Sequence, residues 1–158
     1  MYLYPLMNVS EKTLKWAMRF YPPLFFQGIW TRKFDKGFKG VEVSVHPGFW
    51  NKNYNRSVFG GTLYAAGDPF YAILFDRNLR KAGYPCQIWL KQASISYLRP
   101  VTSRVYFHIQ LSEDQIEEVI QSLMKAESYT GNFPIEMKDK KGQVFVRIQH
   151  QIYIRSRR

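Results

Sequence analysis

Apolar and polar residues alternate most cleanly in two places. Val41, Val43 and Val45 alternate with Glu42 and Ser44. Further on, Val101, Ser103, Val105, Phe107, Ile109 and Leu111 alternate with Thr102, Arg104, Tyr106, His108 and Gln110. A period of two marks a strand with one face buried. The pattern predicts strands over 40–46 and 101–111, with further strands over 29–35, 87–99, 128–138 and 143–154. Gly37 and Gly40 separate the first two, and Asp139-Lys140-Lys141-Gly142 reads as the hairpin turn between the last two. Helical spacing takes over elsewhere. Leu14, Ala17, Met18 and Tyr21 share one face of a helix over about 10–20, capped by Ser10 and ended by Pro22-Pro23. Ser112 opens a short acidic helix whose Glu113 and Asp114 suit the positive end of the helix dipole. The longest helical segment runs from about Gly60 to Lys81, stopped by Gly83 and Pro85. A polar loop with three asparagines, residues 47–58, precedes it.

The order is helix, two strands, long helix, two strands, helix, two strands. A flat sheet cannot hide a long apolar helix, whereas a strongly curved antiparallel sheet wrapped around it can. An α+β fold with about six strands is therefore expected. The 158 residues contain no internal repeat or linker, so a single domain over 1–158 is expected. Apolar residues at 46% and aromatics at 17% exclude a disordered chain. The lone Cys86 excludes an internal disulfide framework and a cysteine-based zinc site. His46, His108 and His150 stand apart with no ligand spacing, so no metal and no cofactor is expected. No window is apolar enough for a membrane span, and MYLYPLMNVSEK lacks the pattern of a signal peptide. A cytoplasmic location is the expectation, and Asn8-Val9-Ser10 is read as a chance match to a glycosylation acceptor. The net charge of +11 favours an anionic partner or serves solubility. The aromatics Phe20, Tyr21, Phe25, Phe26 and Trp30 are expected in the core, or else lining a ligand tunnel or touching a membrane.

The stretch FGGTLYAAGDPF, residues 59–70, carries the candidate chemistry. Gly60 and Gly61 stand where backbone N–H groups of a helix start point outward, and they have no side chain to block an approaching carbonyl oxygen. Asp68 follows two turns later, and a carboxylate can activate water or attack directly. Apolar neighbours would raise its pKa and make it a better base. A geometric reading is equally available. Asp68 would cap, and Pro69 begin, a second helical piece joined to the first at Gly67. The two readings are compatible.

The spacing resembles the hotdog-fold thioesterases of the phenylacetate-pathway type. In these enzymes an asparagine is followed after five residues by His-Gly-Gly and after six more by an aspartate. Here Asn53, Phe59-Gly60-Gly61 and Asp68 keep both gaps. Ser96-Tyr97-Leu98-Arg99-Pro100 matches the family's strand-ending run. Trp89-Leu90-Lys91 and Tyr153-Ile154-Arg155 match a poorly characterised thioesterase-like branch. The resemblance covers about residues 10–157. It implies a site between two subunits, with the acid supplied by the partner's helix, hence a homodimer and possibly a tetramer. It also implies an acyl-CoA or acyl carrier protein substrate. Asp68, Asn53, Gly60 and Gly61 are the implied catalytic positions. Phe59, Asn55, Lys91 and Arg99 are the implied substrate contacts, the two cations facing coenzyme A phosphates. Two positions depart from the pattern. Phe59 replaces the histidine, and Leu90 stands where relatives place serine or threonine. A non-catalytic module that binds acyl-CoA or a lipid-like ligand is the rival reading. Nucleic-acid binding rests on charge alone, with no recognised motif, and no specific nucleic-acid partner is expected.

Overall fold

The computed structural model describes residues 9–157. Asn8 of the glycosylation match, most of the leader segment, and Arg158 of the basic C-terminal cluster lie outside the described residues. Four helices are present: α1 (Glu11–Arg19), α2 (Pro22–Phe25), α3 (Gly60–Lys81) and α4 (Glu113–Ala126). The strands are β1 (Ile29–Phe34), β2 (Gly40–Val45), β3 (Cys86–Tyr97), β4 (Val105–Gln110), β5 (Ser128–Lys138) and β6 (Val144–Ser156). They form one antiparallel sheet in the order β1-β2-β4-β5-β6-β3. Helix α3 packs against β2, β6 and β3, which span most of that order. One helix can touch strands so far apart only if the sheet curls around it.

Local chemistry sets the boundaries. The Ser10 side chain accepts from Thr13 N, and Ser112 with Gln115 forms a reciprocal capping box on α4. Pro22-Pro23 ends α1, as its sequence requires, but the two prolines also begin α2, where their fixed φ suits the first helical turn. The strand expected over 101–111 is shorter than its alternation suggests. Val101 O accepts from Val58 N at 2.8 Å, so residues 101–104 tie down the loop before α3 instead of a neighbouring strand. β3 ends at Tyr97 because the N–H groups of Leu98 and Arg99 both turn to Phe145 O.

The core lies between α3 and the inner face of the sheet. Val41, Val43 and Val45 from β2, Phe133, Ile135 and Met137 from β5, and Val146, Ile148, Ile152 and Ile154 from β6 are all buried there. β4 and β5 share a single paired position, Tyr106 with Lys138, and α4 packs on β5 and on α3. The edges of the sheet are β1 and β3, and the twelve residues of β3 have no strand partner on their outer side among the described residues.

Candidate functional site

Helix α3 is continuous from Gly60 to Lys81 and passes straight through Gly67, Asp68 and Pro69. The reading of two helical pieces with Asp68 as the cap of the second is thereby corrected. Pro69 withholds one N–H from Ala65 O, and the packing of α3 against the sheet outweighs that loss. Gly67 has a packing role rather than a hinge role. A Cβ added there would meet His150 Cε1 and Ile148 Cδ1, both at 3.1 Å. Its missing side chain lets the helix sit close on β6.

His150 is the inward residue between Ile148 and Ile152 on β6, and it is fully buried. Neither ring nitrogen has a hydrogen-bond partner among the described residues. The imidazole faces Gly67 and the ring of Tyr71, whose hydroxyl donates instead to Pro134 O at 2.8 Å. Burial holds the His150 pKa down to about 4, so the ring is neutral at ordinary pH. The same cause pushes Tyr71 up to about 12.

Asp68 is the next residue along the same helical turn, and it is exposed in the single chain. It has no hydrogen bond or ion pair among the described residues. Partial desolvation by the surrounding surface raises its pKa above the usual value for aspartate. It shares an outward stripe with Gly61, Tyr64, Ala65 and Ala72, spaced three or four residues apart. A groove of about 420 Å³ lies between α1, the later turns of α3 and β3; it meets this stripe at Ala72, and Asp68 does not line it. Ile73, Asp76, Arg80, Gln87 and Trp89 line it, and Arg80 Nε holds Asp76 at 2.7 Å.

The start of α3 is built by aromatic rings. Phe59 is the N-cap residue, and it has no side-chain oxygen to satisfy the first turn. The N–H groups of Gly60 and Gly61 therefore lack partners within the helix. The glycines do not leave open space on their Cβ side, however. The Tyr97 ring lies 3.0 Å from where a Gly60 Cβ would be, and its hydroxyl donates to Gly60 O at 3.0 Å. The Phe59 ring covers the corresponding position at Gly61.

The loop asparagines divide by burial. Asn53 Oδ1 accepts from Ser57 N and Ser57 Oγ, both at 3.1 Å, closing the turn before α3. Asn55 is exposed and makes no hydrogen bond among the described residues. The organising residue is Asn51, which sequence reasoning passed over. Its amide donates to Gln27 O at 2.6 Å and to His46 O at 2.8 Å, its Oδ1 accepts from Gly48 N, and its carbonyl accepts from Phe59 N. Lys91 is exposed on β3 and does not line the groove beside α3. Arg99 Nη1 donates to Val144 O at 2.7 Å and fixes the start of β6. The structure thus gathers Phe59, Gly60, Gly61 and Asp68 on one helix and leaves Lys91 and Arg99 on the β3 side. Cys86 is buried with its Sγ toward Tyr84 O, and no cluster of potential metal ligands occurs among the described residues.

A family model described as a domain of unknown function, DUF4442, matches residues 10–154. The chain belongs to the DUF4442 family. No curated protein matches it. Solved structures do. A protein of unknown function and probable thioesterase from Pseudomonas aeruginosa is 16% identical, covers 96% of this chain and 99% of its own, and superposes with a TM-score of 0.83. A thioesterase from Haemophilus influenzae is 12% identical, with 94% and 92% covered and a TM-score of 0.67. The E. coli PaaI protein of the phenylacetic acid degradation operon is 17% identical, with 91% and 95% covered and a TM-score of 0.59. The fold of this DUF4442 chain is the hotdog fold, with the six-stranded antiparallel sheet curled around α3. No helix among the described residues is long and apolar enough to cross a membrane, which says nothing about strands.

Proposed function

We propose that the chain, acting as one domain over 1–158, hydrolyses a thioester of coenzyme A or of acyl carrier protein at a site shared by two copies. The observation that carries this reading is the outward stripe of α3. N–H groups at Gly60 and Gly61 without a partner in the helix open it, and Asp68, unpartnered among the described residues and partly desolvated, stands on the same outward stripe as Gly61. Asp68 stands seven positions after Gly61, about 10 Å along an α-helix. A reacting carbonyl must lie within about 3 Å of its donors and of the activated water. One helix cannot meet both demands, whereas two antiparallel copies of α3 can, each supplying the carboxylate opposite the other's N-terminus. The unpaired edge of β3 offers a place for such a pairing, since exposed strand edges template association.

In this scheme the thioester carbonyl oxygen accepts from the Gly60 and Gly61 N–H groups. Asp68 of the second copy takes a proton from water, and the hydroxide forms a bond to the carbonyl carbon. The resulting oxyanion is held by the same N–H groups. Its collapse breaks the C–S bond, and the proton held by Asp68 passes to the departing thiolate, giving carboxylic acid and thiol. A carboxylate with a raised pKa is the stronger base for the first step. The positive net charge attracts either polyanionic coenzyme A or an acidic carrier protein, and a reducing, cytoplasmic setting suits a released thiol. The deciding experiment is thiol release across acyl-CoA lengths, with carrier-bound substrates alongside. Asp68→Asn should abolish it in a folded protein, and a panel without any cleavage refutes the enzyme.

One observation favours a second reading, a module that binds acyl-CoA or a lipid-like ligand without cleaving it. Phe59 is 58% exposed at the helix start and supplies an apolar contact rather than a hydrogen bond. Calorimetric binding of acyl-CoA with no thiol released would select that reading.

A further inference from the structure

The end of the molecule built by α1, α2 and the loop before α3 exposes an unusual amount of aromatic surface. Ring contacts run from Trp16 to Phe20 at 6.0 Å, from Phe20 to Phe25 at 6.1 Å, and from Phe25 to Phe26 at 5.5 Å. Phe20 and Phe26 are each 62% exposed. Phe49 and Trp50, at 88% and 80%, project from a turn beside them. That turn is fixed by the Asn51 amide, which bridges Gln27 O and His46 O. Scattered surface aromatics need no explanation, but six large ones on linked segments of the surface do.

Charge says what could cover them. In α1, α2 and the loop before α3, which build this surface, residues 12–27 and 46–59 contain no aspartate or glutamate, and Glu11 at the start of α1 is the one carboxylate. Lys15 Nζ lies 4.9 Å and the Arg19 guanidinium 4.7 Å from the Trp16 ring. Lys12, Lys15, Arg19, Lys52 and Arg56 have no carboxylate partner among the described residues. Lys12 and Lys15 join Lys36 and Lys33, the last already paired with Asp35 and Glu42, around a groove of about 400 Å³. Its single carboxylate, Glu11, already accepts from Gly37 N. A second copy of the chain would bring an identical cationic surface against this one, and like charges would oppose the contact. An anionic lipid surface supplies both what the rings need and what the cations need. Aromatic rings settle at the boundary of headgroup and acyl chain, and lysine and arginine reach out to lipid phosphates.

We infer that the α1–α2 end, with the Phe49–Trp50 turn, docks the protein peripherally on an anionic phospholipid bilayer. This inference stands independently of the proposed reaction. The full chain is mixed with phosphatidylcholine vesicles made with or without phosphatidylglycerol and sedimented. The protein should pellet with the anionic vesicles and release as salt rises. The double variant Phe49→Ser/Trp50→Ser should partition at least ~10-fold more weakly, because two inserted rings are lost. Lys12→Glu/Lys15→Glu should erase the preference for the anionic lipid. All four side chains are substituted at the surface, so the melting curve of each variant should match the wild type. Tryptophan quenching by brominated lipid in the unaltered protein gives a readout that needs no variant. Failure to pellet with either vesicle, absence of quenching, or partition unchanged in the ring variant overturns the inference. So does a lipid-indifferent wild type whose oligomer is split by Phe49→Ser/Trp50→Ser, since the surface would then join copies of the chain.

Discussion

Asp68 on α3 is exposed, whereas His150 on β6 is buried against the neighbouring Gly67, and neither has a hydrogen-bond partner among the described residues. Desolvation moves both toward the neutral form, raising the acid and lowering the base. The consequences differ because their access differs. His150 is sealed under Gly67, where no ligand reaches it and its lost hydration is purely a cost to folding. Asp68 faces outward beside Tyr64, Ala65 and Ala72, where the same shift would make it a better base toward anything that docks there. An unpartnered ionisable group is a functional candidate only when something besides the protein can reach it.

The largest expected effect separates the two groups by activity. Asp68→Asn should lower the turnover of a cleavable acyl thioester by about 10²-fold or more, the usual worth of a positioned base. Its melting temperature should be unchanged or slightly higher, since the fold disfavours the charged form it removes. In the unaltered protein, the acid limb of the rate profile should lie above the ordinary range for aspartate. A fully active Asp68→Asn protein would remove the base from the mechanism.

Stability against pH is the next test, and it bears on His150. Its folded pKa of about 4 lies below the ordinary 6.5. Below pH 6.5 the unfolded chain binds a proton that the folded chain refuses, so stability falls as pH drops toward 4. The full loss amounts to about 3 kcal/mol between pH 7 and pH 4. His150→Leu should flatten this part of the curve in urea titrations taken across that range. A parallel acid loss in the variant would assign it to other groups.

A smaller effect tests the contact between α3 and β6. Gly67→Ala gains helix propensity but forces a methyl group against His150 and Ile148, both buried and closely packed. Overpacking should prevail by about 1 kcal/mol of destabilisation. Combining it with His150→Ala should cost less than the sum of the single changes, because the second opens the space that the first needs. Additive costs in the double-mutant cycle would mean that the two positions do not press on each other. Smallest of all, Tyr97→Phe removes the hydrogen bond to Gly60 O at an exposed site, for about 0.5 kcal/mol. A thermal shift well beyond that would show that the ring and not only the hydroxyl is displaced.

Period-two and helical patterns suffice to locate strands and helices, because each residue's burial is written locally in its alternation with its neighbours. The inward placement of His150 was legible in the same way, since Val146, Ile148, Ile152 and Ile154 bracket it at every second position. Reading it only as a histidine without ligand spacing missed this signal. The alternation over 101–111 outruns the strand Val105–Gln110 because it records which face is buried, not whether a neighbour offers hydrogen bonds.

By itself, the sequence determined the elements, the α+β class and the presence of glycines, a carboxylate and a proline in one apolar segment. Only the tertiary structure decided that this segment is one unbroken helix, since packing against a curled sheet overrides the local preferences of Gly67 and Pro69. It also decided which asparagine organises the loop, which rings cover Gly60 and Gly61, and on which side of α3 each polar group lies. Those outcomes depend on contacts between residues distant in the chain, whose energies no local pattern contains.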